Sequence, residues 1–174
     1  MFIEDLSIIA QQCHGLVDQF SLGGRVDPDG DEFFEEILKI CIENDTVPNY
    51  ASSGYRFTKV KAELSKRHCG AVAASWYRND YTYKSIELLK QAGFRTNIHY
   101  VLESNTIYEA IDHIKNHSIL KVNTIIFSYR NHKVLDTQEN GLKLNDPRVI
   151  EFFELLTLEH NNRLGVDRLS SQGW

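Results

Sequence analysis

Apolar, β-branched runs alternate repeatedly with amphipathic helical patterns along this chain. In the clearest example, the run AVAASWY at 71–77 is typical of a buried strand, and residues 81–92 have the apolar spacing of a helix that ends before Gly93. The run TNIHYVL at 96–102 is typical of the next strand. Strand, helix and strand in this order predict a right-handed crossover, so the repeated pattern predicts a parallel sheet with helices outside it.

The same reasoning predicts the other elements, and the chain begins with a helix rather than a strand. Further helices are expected at 3–13, at 32–43 with Asp31 as the N-cap, after Thr58, at 106–116 and at 148–159. Further strands are expected at 17–22, 46–51 and 122–129, and a last one near Gly165. We therefore expect one α/β domain, 1–174, with five or six parallel strands. A doubly wound open sheet and a partial barrel both fit this periodicity.

Composition and charge narrow the classes of partner. Hydrophobic residues make up 42% of the chain, and no apolar run approaches the length of a membrane span, so we expect a protein without a membrane partner. The net charge of −5 argues against a nucleic-acid surface. Small ligands are the expected partners.

The cysteines indicate a reducing compartment rather than a metal site. Cys13, Cys41 and Cys69 are widely spaced, and no CxxC pair occurs. We interpret them as buried thiols of a cytoplasmic protein and predict no metal ligands.

Polar residues at predicted strand ends are the first candidates for a site, because parallel α/β sheets place their chemistry at the carboxyl ends of the strands. Ser52, Ser53, Ser75 and His99 occupy such positions. Strand alternation also places Asn97 and His99 on one face, opposite Ile98. Whether each polar side chain contacts a ligand or only makes structural hydrogen bonds is left open at this point.

Five segments together resemble radical SAM proteins. They are the glycine pair Gly23 and Gly24 after a strand, VPNYASSG at 47–54, the block at 70–102, VNTIIFSY at 122–129 and NDPRVIEFFELL at 145–156. The resemblance covers most of the chain and implies a partial parallel (β/α) barrel. It also implies S-adenosylmethionine (AdoMet) and a 4Fe–4S cluster as cofactors. In that family, reductive cleavage of AdoMet at the cluster gives a radical that modifies the substrate.

The resemblance assigns residues to AdoMet but not to the cluster. It implies that Gly23 and Gly24 approach the methionine amino group, although Arg25, Val26 and Asp27 do not place an acid directly after them. It also implies that Ser52, Ser53 and Ser75 line the AdoMet cavity, with Ser75 near the ribose, and it makes Asn97 and His99 candidates for cofactor contacts.

The first strand of the family and its CxxxCxxC loop are missing from this sequence. We therefore expect a truncated frame, a misassigned start or a fragment, and we expect that the chain alone holds no cluster and is inactive. The open sheet edge that this leaves could pair with another chain.

Two alternatives remain open on the sequence. One is a non-catalytic remnant or partner-binding subunit that kept the sheet and lost the cluster. The other is a cluster-free enzyme that uses His99 and the strand-end serines, is active in air and is abolished by His99→Ala. The sequence assigns neither a catalytic residue nor a substrate.

Overall fold

The computed structural model describes residues 3–23, 26–116, 122–129, 142–143, 145–158 and 164–168. Helices and strands alternate along the chain, and a short 3₁₀ turn at Pro28–Gly30 follows the first strand. The helices are α1 Ile3–Cys13, α2 Phe34–Glu43, α3 Lys59–His68, α4 Asp80–Gln91, α5 Ile107–Asn116 and α6 Pro147–Leu158. The strands are β1 Gln19–Leu22, β2 Val47–Ser52, β3 Ala71–Ser75, β4 Thr96–Leu102, β5 Thr124–Tyr129 and β6 Leu164–Arg168.

The strands form one six-stranded sheet whose spatial order is the chain order, β1 to β6. The pairs β1–β2, β2–β3 and β5–β6 are parallel. Leu22 lies beside Tyr50 in the first pair, and Ser52 lies beside Ala74 in the second. The carboxyl ends of neighbouring strands therefore lie next to each other, which brings together the loops that follow them.

Contacts divide the chain into two compact units, 1–97 and 98–174. The prediction of a single domain stays a prediction. The core of the first unit is formed by apolar side chains of the helices that pack against β2 and β3. Its buried members are Phe34, Leu38, Tyr50, Phe57, Ala62, Cys69, Val72, Leu89 and Ala92.

The second unit has an aromatic core. The ring of Phe127 on β5 lies 5.4 Å from the Tyr100 ring and 5.0 Å from the Phe152 ring. All three side chains are fully buried. Tilted and edge-on aromatic contacts of this kind stabilise a core beyond the effect of buried area alone.

Most predicted elements are confirmed, and the errors lie at their ends. The bounds of α1 and β4 are those predicted, and Thr58 caps α3 by accepting a hydrogen bond from the Lys61 N–H. The prediction of Asp31 as the N-cap of α2 is wrong. The helix begins at Phe34, because the 3₁₀ turn delays it, and the Asp31 carboxylate accepts from the Phe33 N–H instead. Among the described residues, no helix is long and apolar enough to cross a membrane.

Candidate functional site

In the first unit, the loops after β1 and β2 are joined by one carboxylate. Asp27 accepts hydrogen bonds from the Ser53 backbone N–H, at 3.0 Å, and from the Ser53 hydroxyl. Asp27 and Ser53 are both half-buried. The contact spans 26 positions and places a carboxylate at the edge of the sheet where the two strands end.

The loops after β2 and β3 are joined by the first turn of α4. The Thr82 hydroxyl, which is fully buried, lies 3.2 Å from the Ser53 carbonyl oxygen and 3.3 Å from that of Ser75. Asn79 caps the same helix by accepting from the Thr82 N–H at 2.9 Å. A fixed N-terminal turn of α4 therefore sets the separation of two strand ends.

Gly54 allows β2 to approach that turn closely. Its φ is +84°, and a Cβ atom built on it would lie 2.6 Å from the Tyr81 carbonyl oxygen and 2.7 Å from the Ser85 Oγ. No other residue type fits both the left-handed backbone and this distance. Arg56 and Arg78, in the loops after β2 and β3, also have left-handed φ values, of 61° and 57°. Backbone strain of this kind is concentrated at functional loops.

A second acid, Asp29, follows Asp27 by two positions and is buried. Asp29 has no exposed surface, and Lys61 Nζ lies 3.7 Å from its Oδ2. Burial raises the pKa of the Asp29 carboxyl above its ordinary value, and Lys61 opposes the shift. The Lys61 ammonium also donates to the Arg56 carbonyl oxygen at 2.9 Å, so the pair connects the loop after β1 to the loop after β2.

The predicted residues of the first unit lie at these strand ends, with different surroundings. Gly23 is exposed, and a Cβ built on it would meet no atom within 4 Å. Ser52 is buried, and its hydroxyl accepts from the Gly54 N–H at 3.0 Å, which is a structural contact. Ser75 is the last residue of β3 and is half-buried. Gly24 lies outside the described residues.

Strand β4 alternates as predicted. Asn97 and His99 are half-buried and share a face with Val101, whereas Ile98 and Tyr100 on the other face are fully buried. In the second unit, His99 Nε2 makes a close contact with the Ser128 hydroxyl, which has no exposed surface. Either atom can be the donor, depending on the imidazole tautomer.

Sequence reasoning missed Asp27, Thr82 and Ser128. Ser128, like Ser75, is a small polar residue near the carboxyl end of a strand. The position of Ser128 in the sequence could therefore have identified it as a candidate. The contacts of Asp27 and Thr82 with Ser53 span more than two dozen positions each, and no local pattern marks such pairs.

The described cysteines do not fit an iron–sulfur cluster. Cys13 ends α1, Cys41 lies within α2 and Cys69 follows α3. Burial raises the pKa of the Cys41 thiol to about 11 and that of Cys69 to about 12, which disfavours the thiolate form that binds metals. Within the part of the chain that the structure describes, no group of three His, Cys, Asp or Glu side chains could hold a metal ion.

No family model and no curated protein matches this sequence. Solved structures do match. SuiB of Streptococcus suis aligns with a TM-score of 0.67 at 16% identity, over 98% of this chain and 44% of SuiB. The protein anSMEcpe with bound AdoMet aligns with a TM-score of 0.69 at 15% identity, over 95% of this chain and 55% of anSMEcpe. SuiB bound to precursor peptide SuiA gives a TM-score of 0.70 at 16% identity, over 96% of this chain and 42% of SuiB.

The chain shares the α/β fold of these structures, which fits a fold of the radical SAM type. The predicted fold class is confirmed. At this identity the likeness shows the fold alone, and the chain spans about half the length of the proteins that it matches.

Proposed function

We propose that this chain binds AdoMet at the carboxyl ends of its strands, as part of a protein of the radical SAM type. The observation that carries the proposal is the Asp27–Ser53 contact. The contact holds the Asp27 carboxylate at the ends of β1 and β2. The sequence has no acidic residue directly after the glycine pair, and Asp27 takes that role in our proposal. The binding of AdoMet by anSMEcpe, whose fold this chain shares, supports the same ligand.

The chemistry of these residues fits the amino-acid part of AdoMet. A half-buried carboxylate such as Asp27 suits the methionine ammonium, because a charge-assisted hydrogen bond is about twice as strong as a neutral one. Gly23 leaves open space beside its backbone for a close approach. We assign Gly24, Ser53, Ser75 and Asn97, all of the first unit, to the remaining contacts with AdoMet as part of this proposal, and the role of His99, in the second unit, stays a prediction. We assign the Ser52 hydroxyl to holding the loop.

The reductive cleavage of AdoMet that the resemblance implies requires a cluster, and the described cysteines do not fit one. Our proposal for this chain is therefore cofactor binding. Catalysis is proposed only for a form in which another segment or another polypeptide brings the cluster ligands. A cytoplasmic location stays a prediction from the thiol content.

Isothermal titration calorimetry of the chain with AdoMet tests the proposal. Asp27→Asn should weaken binding about 10- to 100-fold, the equivalent of one hydrogen bond to a charged group. The new amide keeps an acceptor oxygen for the Ser53 N–H, so the loop contact can persist. Glu32→Gln removes one exposed charge five positions later in the chain and serves as the matched control, with an expected change in affinity under twofold. Absence of binding, or equal effects of the two variants, would refute the proposal.

A second candidate function is a non-catalytic, partner-binding subunit. The burial of Cys41 and Cys69 favours it, because both side chains pack inside the first unit, where they are not available to a cluster at the strand ends. This candidate predicts a folded protein that binds no AdoMet. Calorimetry on folded wild-type protein therefore distinguishes the two candidates.

A further inference from the structure

We propose that Lys61 is a positioning residue that holds the loop between β2 and α3, residues 53–58, in the shape that binds AdoMet. Lys61 lies in the first turn of α3, where it contacts Arg56 of this loop and Asp29 of the turn after β1. Its side chain is not among the groups assigned to AdoMet, so it acts through the loop and not on the ligand. The inference rests on the proposed function and deepens it.

The turn after β1 holds this loop at two points. At the first point, Asp27 accepts hydrogen bonds from the Ser53 N–H and hydroxyl. At the second point, the Lys61 ammonium donates to the Arg56 carbonyl oxygen at 2.9 Å and lies 3.7 Å from Asp29 Oδ2. Asp27 directly precedes the 3₁₀ turn that contains Asp29, so both contacts start from one short segment. A loop held at one point can pivot about it, whereas a second contact also fixes its direction.

The position of Lys61 is unfavourable for its own helix. It is the third residue of α3, and Thr58 is the N-cap. The helix dipole disfavours a cation in the first turn. The residue three positions after a threonine cap is commonly Glu or Gln, because either can bond back to the N–H of the cap. Lys61 breaks this local rule, and its contacts with Asp29 and Arg56 are the compensation that such a residue is expected to have elsewhere in the fold.

Both partners of Lys61 need a compensating contact. Arg56 is not a glycine, yet its φ is +61°, a conformation that costs free energy and persists only where the surrounding structure holds it. Lys61 bonds the carbonyl group of that residue. Asp29 has no exposed surface, and the Lys61 cation opposes the cost of burying its charge. One ammonium group therefore compensates a strained residue and a buried carboxylate.

Loss of Lys61 should have two consequences that substitutions can separate. The Asp29 carboxylate would lose the cation that offsets its burial, which lowers stability. The loop would lose its second contact, which lowers AdoMet affinity in a chain that is still folded. Replacing Asp29 by asparagine removes the buried charge and so cancels the first consequence alone. A purely structural role of Lys61 predicts instead that stability and affinity recover together.

Calorimetry with AdoMet and urea unfolding of the full chain test the inference. Lys61→Met should weaken AdoMet binding by about tenfold or more, the equivalent of one hydrogen bond to a charged group. Lys61→Arg keeps a cation with hydrogen-bond donors and should restore most of the affinity. Lys59→Met removes an exposed lysine from the same turn and is the matched control, with an expected change under about twofold. In the double variant Lys61→Met with Asp29→Asn, stability should recover while the affinity stays about tenfold weaker or more.

Hydrogen exchange measured by NMR reports on the loop directly. The Phe57 N–H donates to the Gly54 carbonyl oxygen at 3.1 Å, so its exchange should quicken in Lys61→Met and not in Lys59→Met. Unchanged exchange at Phe57 would overturn the inference. Recovery of AdoMet affinity in the double variant, or equal affinity of Lys61→Met and Lys59→Met, would also overturn it and leave the proposed function standing. Absence of AdoMet binding by the wild-type chain would refute the proposed function and the inference with it.

Discussion

Replacing Gly54 by alanine should be among the most destabilising single-methyl additions in the first unit. The new Cβ would lie 2.6 Å from the Tyr81 carbonyl oxygen, a backbone atom of α4 that can move only with its helix. The left-handed φ of +84° adds a second penalty that any side chain would carry. Gly93 provides a matched control, because its φ is +70° but its added Cβ would meet only Lys66 Nζ, at 3.7 Å.

Comparing Gly54→Ala with Gly93→Ala separates two contributions to the loss of stability. One is the cost of a left-handed backbone, and the other is the cost of overlap between the new Cβ and its neighbours. A non-glycine residue in the left-handed region costs about 1–2 kcal/mol, which is the whole effect expected for Gly93→Ala. Overpacking adds about 1–3 kcal/mol, so Gly54→Ala should lower the free energy of unfolding by about 2–5 kcal/mol. Single domains are stable by about 5–15 kcal/mol, so most of the variant should still fold at room temperature.

Urea unfolding measures both values. The chain has two tryptophans, and a Trp174→Phe background leaves Trp76, directly after β3, as the fluorescent reporter of the first unit. The reasoning is refuted if Gly54→Ala and Gly93→Ala lower the unfolding free energy equally. A change in the m-value would show instead that the unfolding transition itself has changed.

Two further predictions concern ionisable groups. Burial raises the pKa of Asp29 in the folded protein, so its stabilising contribution is complete below pH 3.8 and declines as the pH rises. Wild-type stability should therefore fall relative to Asp29→Asn between pH 4 and pH 7 in urea titrations, and a relative gain would contradict this. Iodoacetamide at pH 8 should modify the half-buried Cys13 before the buried Cys41 and Cys69 in the native chain. Peptide mass spectrometry checks the order, and equal rates would show that burial does not protect the two thiols.

The spacing of apolar residues predicted most helices and strands correctly, because the residues that it places on one face of an element are the ones that are buried. The alternation of TNIHYVL gives the two faces of β4, and the Thr58 side chain marks the start of α3. The predicted start of α2 was wrong. In a turn-rich segment the Asp31 carboxylate can accept from several backbone N–H groups, and residue spacing alone does not tell which one donates to it.

The site was predicted less completely, since its connections are long-range. Ser53 was selected as a strand-end hydroxyl, but its partner Asp27 lies on another loop, and only the parallel pairing of β1 and β2 brings the two together. The contact between His99 and Ser128 likewise joins two strands. Sequence alone locates the ends of strands, whereas the register of the sheet decides which side chains meet there.

The chain-order arrangement of the sheet has a consequence for synthesis on the ribosome. Neighbouring strands in the described sheet are consecutive in the chain, so a strand can pair with the one made just before it without waiting for a distant segment to emerge. The first unit closes within residues 1–97, and its loop connections through Asp27, Ser53 and Thr82 need nothing from later in the chain. Short loop closures form quickly, and domains generally fold as they are completed. The strand-end loops proposed to hold AdoMet could thus be assembled while the rest of the protein is still being translated.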